Sequence, residues 1–298
     1  MKHKYKILFP IAVFIVFITG SCEIYNPAEP IPSYIHIQKI DLAASTGQGT
    51  SSSKITDAWL YVDDQLIGCF ELPATIPVLY EGVHDVKVRP GIKVDGIATN
   101  RAPYPFFNIV EQAVDLQKAT VSYLHVTTTY TTQSVFTFMS DFESTGVTID
   151  TTTGKTDNPF QILYSATPSP DIFEGTHSSI AYTDPIKSRF ECETVTPLSL
   201  PGGGAPVFLE FNYKCNYQFT VSIYGFDTYG TFYGQSPVIN LNPSPNWNKI
   251  YVYLTPTIST SAASGATTYK VAWGMLNNTG VSGATFSMDN IKVINNPF

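Results

Sequence analysis

Apolar and polar residues alternate along most of this chain with the two-residue period of β-strands, and no stretch has a useful helical period. The segment 207–213 is the clearest case, because Leu209, Phe211 and Tyr213 would share one face while Glu210 would point to the other, wet face. We therefore predict an all-β protein, with a small N-terminal β-sandwich followed by a larger jelly-roll β-sandwich.

The smaller sandwich is predicted over residues 34–132, where short strands are separated by recognisable turns. A phase slip within Tyr34 to Leu42 predicts a β-bulge. Asp63 and Asp64 supply turn chemistry for a hairpin. A later strand is expected to end at Pro90 and Gly91.

The larger sandwich is predicted over residues 133–298, with roughly nine strands and polar connections rich in Gly and Pro. The segment 227–236 has no strand period and is predicted to be a loop. The predicted strands are 135–142, 178–182, 188–195, 207–215, 219–226, 247–254, 269–275 and 285–294.

The first 21 residues have the composition of an export signal, with lysines at the start, an apolar run over 7–18 and small residues before Cys22. The 12-residue run is too short to cross a bilayer, for which about 20 residues are needed. Residues 22–33 contain three prolines, which favour an extended tether. The segment ending in Cys22 resembles the lipobox of bacterial lipoproteins, which implies acyl chains on Cys22 and a cell-envelope location at the outer membrane. The alternative is ordinary cleavage near Ser21, which would release a soluble protein.

The charge of the chain argues against nucleic acid as a partner. The formal charge is −7, and removal of residues 1–21 takes away three lysines and no acids, which gives −10. No basic run with interleaved aromatic residues is present to follow a phosphate backbone.

Two further resemblances concern the folded part. The sequences YVDDQLIG at 61–68 and EGVH at 81–84 look like a PEGA-type domain, which implies a surface β-domain used as a spacer or interaction module. The sequences DFE at 141–143, EGTHS at 174–178 and SMDNIKV at 287–293 resemble the galactose-binding-like jelly rolls that include many carbohydrate-binding modules.

The second resemblance implies a structural calcium site. In those relatives an early Glu and a late Asp often join backbone carbonyls around Ca²⁺, and Glu143 and Asp289 are the matching residues here. Calcium takes six to eight oxygen ligands, so two carboxylates from the first and last strands would be a start. The alternative is that both are solvated residues at the edge of the sheet.

Aromatic residues provide the candidate ligand site, because an apolar ring packs on the C–H face of a sugar while amides and carboxylates bind its hydroxyls. The candidates are Tyr229, Phe232 and Tyr233 in the predicted loop, and Trp247 between two asparagines. The alternative is that these rings cover the edge of the sandwich.

Catalysis has little support, because no nucleophile elbow, metalloprotease helix or phosphate loop is present. Glu191 and Glu193 would share one strand face, and a glycosidase could in principle use two such carboxylates. Cys192 and Cys215 could form one disulfide. The alternative is that these two cysteines and Cys69 are all small buried hydrophobes.

These patterns together predict a lipid-anchored, non-catalytic envelope protein whose jelly roll binds a glycan or a surface partner. The alternative function is a structural or assembly lipoprotein of an outer-membrane complex that binds no sugar. An enzyme is the third hypothesis.

Overall fold

The structure is a computed structural model that describes residues 29–297. The predicted signal segment and Cys22 lie outside the described residues. Within residues 29–297 no helix is both long and apolar enough to cross a membrane.

The all-β prediction is confirmed, with one short helix as the exception. The strands of the first half are β1 (Ser33–Leu42), β2 (Asp57–Val62), β3 (Gln65–Glu71), β4 (Ala74–Val78), β5 (Gly82–Lys93), β6 (Arg101–Pro103), β7 (Val110–Leu116) and β8 (Val121–Thr128). The second half contains β9 (Val135–Ser140), β10 (Ile149–Thr151), β11 (Gln161–Tyr164), β12 (His177–Thr183), β13 (Arg189–Thr194), β14 (Val207–Cys215), β15 (Phe219–Phe226), β16 (Phe232–Leu241), β17 (Ser244–Tyr253), α1 (Thr255–Ala263), β18 (Thr268–Leu276) and β19 (Ala284–Asn295).

The first eight strands form a small sandwich of two sheets. One sheet has the order β4-β1-β8, and the other has the order β3-β2-β5-β6 with β7 also paired to β5. The inward residues of both sheets, among them Ile35, Leu60 and Val86, form its core. The predicted bulge in the first strand is confirmed by a register shift between Ile37 and Ile40.

The remaining strands form a larger sandwich of two antiparallel sheets. The five-stranded sheet has the order β10-β13-β18-β15-β16, and the six-stranded sheet has the order β11-β12-β19-β14-β17 with β9 also paired to β19. Trp273 and Phe211 face each other across the core, with ring centroids 6.2 Å apart. The core of this half is separate from that of the small sandwich.

Two local predictions are wrong. Strand β5 continues through Pro90 and Gly91. The carbonyl of Pro90 accepts a hydrogen bond from the backbone N–H of Tyr104. Gly91 leaves room for the ring of Trp59, which a side chain at position 91 would obstruct. The predicted loop 227–236 is a tight turn followed by β16, which pairs with β15 along its whole length. Register shifts in that pairing break the two-residue period, so β16 could not be recognised from the sequence pattern.

A third cluster of apolar side chains joins the two sandwiches. Phe208, Tyr251 and Ile294 on the outer face of the six-stranded sheet pack against rings and aliphatic residues of the small sandwich. Val94 and Tyr251 also form a parallel backbone bridge. The partners from the small sandwich are Leu42, Ile92, Val94, Tyr104, Phe106, Phe107 and Tyr130.

Charged groups are buried at the centre of this junction. Glu210 is 0% exposed, and its carboxylate accepts hydrogen bonds from the hydroxyls of Tyr104 at 2.7 Å and Tyr130 at 3.0 Å. The ammonium of Lys249 lies 3.3 Å from the same carboxylate without a hydrogen-bond partner. The ammonium of Lys292 donates to the carbonyl of Thr50. Burial lowers the pKa of Lys292 to about 8, although the negative charge of Glu210 acts in the opposite direction. The prediction that Glu210 faces water is therefore wrong, because the small sandwich covers that face.

The three cysteines within residues 29–297 are free. Cys192 lies on β13 of the five-stranded sheet and Cys215 on β14 of the six-stranded sheet, so they are not cross-strand neighbours. Both are buried, as expected for small hydrophobes.

Candidate binding site

An open groove of about 440 Å³ runs over the outer face of the five-stranded sheet. Its floor includes three small residues of two adjacent strands, Gly274 of β18, which is paired with Thr220 of β15, and Ser222, also of β15. Larger side chains at these positions would fill the groove. The floor therefore lets a ligand approach the sheet closely.

One wall of the groove is a hydrogen-bonded set of polar side chains. The Tyr224 hydroxyl donates to the Glu191 carboxylate, and Lys155 donates to the Tyr224 hydroxyl at 2.6 Å and to Gln235 Oε1 at 2.9 Å. The pKa of Tyr224 is raised chiefly by burial and, to a smaller extent, by the hydrogen bond to Glu191 and its negative charge. The phenol therefore stays protonated. Tyr224 is itself buried, and its hydrogen bonds hold Lys155 and Glu191, which with Gln235 present donors and acceptors to the groove.

Apolar surface lies at one end of the groove and beyond the other. Leu276 is exposed at the end near Arg189, where the two residues are directly opposite on β18 and β13. On the same face, beyond Tyr224 and outside the groove lining, Phe232 is 54% exposed, and its ring lies 5.6 Å from Tyr224 and 5.9 Å from Phe226. A ligand lying along the sheet would thus meet aliphatic or aromatic surface beyond its polar centre.

The structure separates the four residues predicted to bind a ligand. Phe232 lies on the face that carries the groove, opposite Phe226. Tyr233 points the other way and lies beside Gly265. Tyr229 is 92% exposed in the turn before β16 and lies outside the groove lining.

Trp247 lies at the opposite end of the sandwich from this turn. It is next to Asn248, which pairs with Tyr213 near the end of β14, and its indole N–H donates to the carbonyl of Pro170 at 3.0 Å. Its ring packs on Phe173 with centroids 5.5 Å apart. Trp247 therefore holds the 170–173 segment, and the four rings do not form one surface.

Glu143 is held by the turn that precedes β12. Its carboxylate accepts from the backbone N–H groups of Thr176 at 2.7 Å and His177 at 2.8 Å, and from both of their side chains. Burial alone would raise the pKa of Glu143, but these hydrogen bonds outweigh it and lower the pKa to about 2. The donors engage both carboxylate oxygens, so a cation at Glu143 would have to replace some of these hydrogen bonds.

Asp289 lies close to the same turn but is buried. It accepts from the Ser178 hydroxyl at 2.6 Å and from the backbone N–H of Asn290 at 2.7 Å. Burial raises its pKa to about 7, against the effect of these hydrogen bonds. In the range 29–297 no group of three or more His, Cys, Asp and Glu side chains is placed to hold a metal ion, and calcium at Glu143 and Asp289 stays a prediction.

Most of the groove could not be found from sequence. Glu191 and Glu193 carried the visible signal, since they alternate on one strand, but each is engaged, Glu191 by Tyr224 and Glu193 by Lys270 at 2.7 Å. Lys155 and Gln235 lie in polar segments that carry no pattern, and only the fold brings them together.

No family model matches the chain, so neither family resemblance gains support from that comparison. No curated protein matches it either.

Several solved structures are similar to this chain at low sequence identity. A family 11 carbohydrate-binding module from Clostridium thermocellum, in complex with a β-1,3-1,4-mixed-linked tetrasaccharide, is 12% identical with a TM-score of 0.35, over 52% of this chain and 93% of that one. A structure of carbohydrate-binding modules from the β-sandwich superfamily is 10% identical with a TM-score of 0.39, over 83% and 86%. The enzymatically active domain of bacteriophage CBA120 tailspike protein 4 is 13% identical with a TM-score of 0.38, and the match covers 59% of this chain but only 25% of that one. At these TM-scores no functional conclusion follows.

Proposed function

We propose that this protein is a non-catalytic binding module that takes a glycan in the groove on the five-stranded sheet. The supporting observation is the combination of a small-residue floor with a wall of hydrogen-bonding groups at Lys155, Glu191 and Gln235. Sugars present hydroxyls and apolar C–H faces together, and they need this mixture of polar and apolar contacts.

The charges of the groove favour a neutral glycan over an anionic one. Lys155 lies 3.6 Å from Glu191, and Arg189 donates to Asp157 at 3.1 Å. Each cation is thus accompanied by a carboxylate, and neither is free to bind an acidic sugar at full strength.

The envelope part of the proposal rests on the sequence. We propose acyl chains on Cys22 as the membrane anchor, with the binding groove displayed away from the membrane. The chain enters the small sandwich at Ser33, and β1 then runs for 10 residues to Leu42 at the junction with the jelly roll. From its first to its last residue this strand spans about 30 Å at 3.3 Å per step, which separates the entry point from the jelly roll.

Gln235→Ala is expected to weaken glycan binding about 5- to 30-fold, the loss of one or two hydrogen bonds of about 1 kcal/mol each. Affinity electrophoresis against a panel of neutral polysaccharides, followed by titration calorimetry, measures this effect. Gln161→Ala is the matched control, because Gln161 is also exposed but lies on β11 of the other sheet. Absence of retardation by every polysaccharide would contradict the proposal and favour the assembly role, which a crosslinking pull-down tests.

Calcium binding near Asp289 is a separate prediction from the sequence motif. A cation there would compensate a buried carboxylate, and the melting temperature would then be higher in millimolar Ca²⁺ than in excess chelator. Equal melting temperatures in the two buffers, measured on the same preparation, would exclude a stabilising site. Asp289→Asn should abolish any difference.

A further inference from the structure

We propose that the end of the small sandwich farthest from the jelly roll rests on the membrane surface. This end, called the tip, is formed by Ile31, Leu79, Val83 and Val121. The inference rests on the proposed lipid anchor at Cys22 and goes beyond it, because it assigns a protein surface to the bilayer.

Backbone pairing brings the four residues of the tip to one end of the sandwich. Ser33, two residues after Ile31, is paired with Val78, and the following Tyr34 is paired with Val121. Strand β5 begins at Gly82, next to Val83, so both sheets contribute to the same end.

The side chains of the tip are exposed although they are large and aliphatic. Their exposed fractions are 58% for Ile31, 65% for Leu79, 72% for Val83 and 37% for Val121. Single exposed aliphatic residues are ordinary on protein surfaces, whereas a cluster at one end marks an interaction site. The opposite end of the same sandwich has its apolar cluster buried against the jelly roll.

The position of the chain entry identifies the membrane as the partner. Ile31 lies nine residues after Cys22, and nine residues can span at most about 32 Å. An acylated Cys22 would therefore hold Ile31, and with it the tip, within this distance of the bilayer. Aliphatic side chains gain from transfer into the interfacial region of a bilayer.

The charges near the tip favour a zwitterionic surface. Lys118 and Glu81 form an ion pair at 2.6 Å. The charges close to Val83 are mostly acidic, with Asp115 opposite it and the pair of Asp63 and Asp85 beside His84. Binding to anionic lipid uses clusters of several basic residues, which the described part of the tip does not contain.

The test places a fluorescent probe on the tip of the full-length acylated protein in phosphatidylcholine vesicles. A nitrobenzoxadiazole label is attached at Val83→Cys or Leu79→Cys in a Cys69→Ser background. Its emission maximum should shift to shorter wavelength on the vesicles, and its fluorescence should be quenched by lipid that carries a spin label at a shallow depth in the bilayer. The thiols of Cys192 and Cys215 are buried and stay unlabelled. The matched control is Tyr229→Cys, which is exposed on the jelly roll and should show neither effect.

Two positions at the tip keep the test decisive if one variant fails to fold. An acyl mass at the N-terminus together with an unquenched probe at both tip positions would overturn the inference and leave the anchor intact. An N-terminus without an acyl mass would overturn the anchor and the inference together. Glycan retardation of the same preparation reports on the groove independently of both.

Discussion

Glu210→Ala is expected to lower the free energy of unfolding by about 3–5 kcal/mol, because it removes one partner from a buried ion pair. The variant would leave the Lys249 ammonium uncompensated at the junction of the two sandwiches. It would also remove the acceptor of two buried phenols, Tyr104 and Tyr130. Urea unfolding followed by tryptophan fluorescence measures the loss.

Glu111→Ala is the matched control for this variant. Glu111 lies on the exposed side of β7, 3.5 Å from Lys87, and its removal should change the free energy of unfolding by less than about 0.5 kcal/mol. Equal effects of the two substitutions would contradict the structural role assigned to Glu210.

Residues 133–298 expressed without the small sandwich are expected to aggregate or to unfold at low temperature. The cut exposes Phe208, Tyr251 and Ile294. Burial of each side chain contributes about 1.5–3 kcal/mol, so the free energy of unfolding would fall by about 5–9 kcal/mol. The total stability of a domain is about 5–15 kcal/mol, so this loss is comparable to it. Circular dichroism melting and size-exclusion chromatography measure the outcome.

Co-expression of residues 29–132 with the isolated jelly roll is the control for this cut. Recovery of soluble protein would show that the missing surface, and not the new terminus, causes the defect. Cooperative melting of residues 133–298 alone at the midpoint of the whole protein would refute the dependence.

The junction adds to the role expected of the small sandwich, which is that of a spacer or interaction module. A spacer touches its neighbour through a linker, whereas here the two halves share a buried cluster and a backbone bridge between Val94 and Tyr251. A junction of this kind fixes the direction of the groove relative to the tip. The proposed display at the membrane would then be rigid beyond the first residues of the chain.

Strand β14 illustrates the limit of sequence periodicity in this protein. The alternation of Leu209, Phe211 and Tyr213 correctly predicted a strand with an inward apolar face. The same alternation predicted water on the other face, but Glu210 and Asn212 are buried there. Periodicity reports which residues share a face, and it cannot report that a distant part of the chain covers the polar one.

The amino-acid pattern by itself determined the strand-rich fold, the bulge in β1, the hairpin at Asp63 and Asp64, and most strands of the jelly roll. These features depend on neighbours in sequence, through the two-residue period and turn chemistry. The groove, the pairing of β16 and the charged junction were decided only by the tertiary structure. Gly274, Thr220 and Gln235 come from three strands whose adjacency follows from sheet order, and sheet order depends on contacts between residues far apart in the chain.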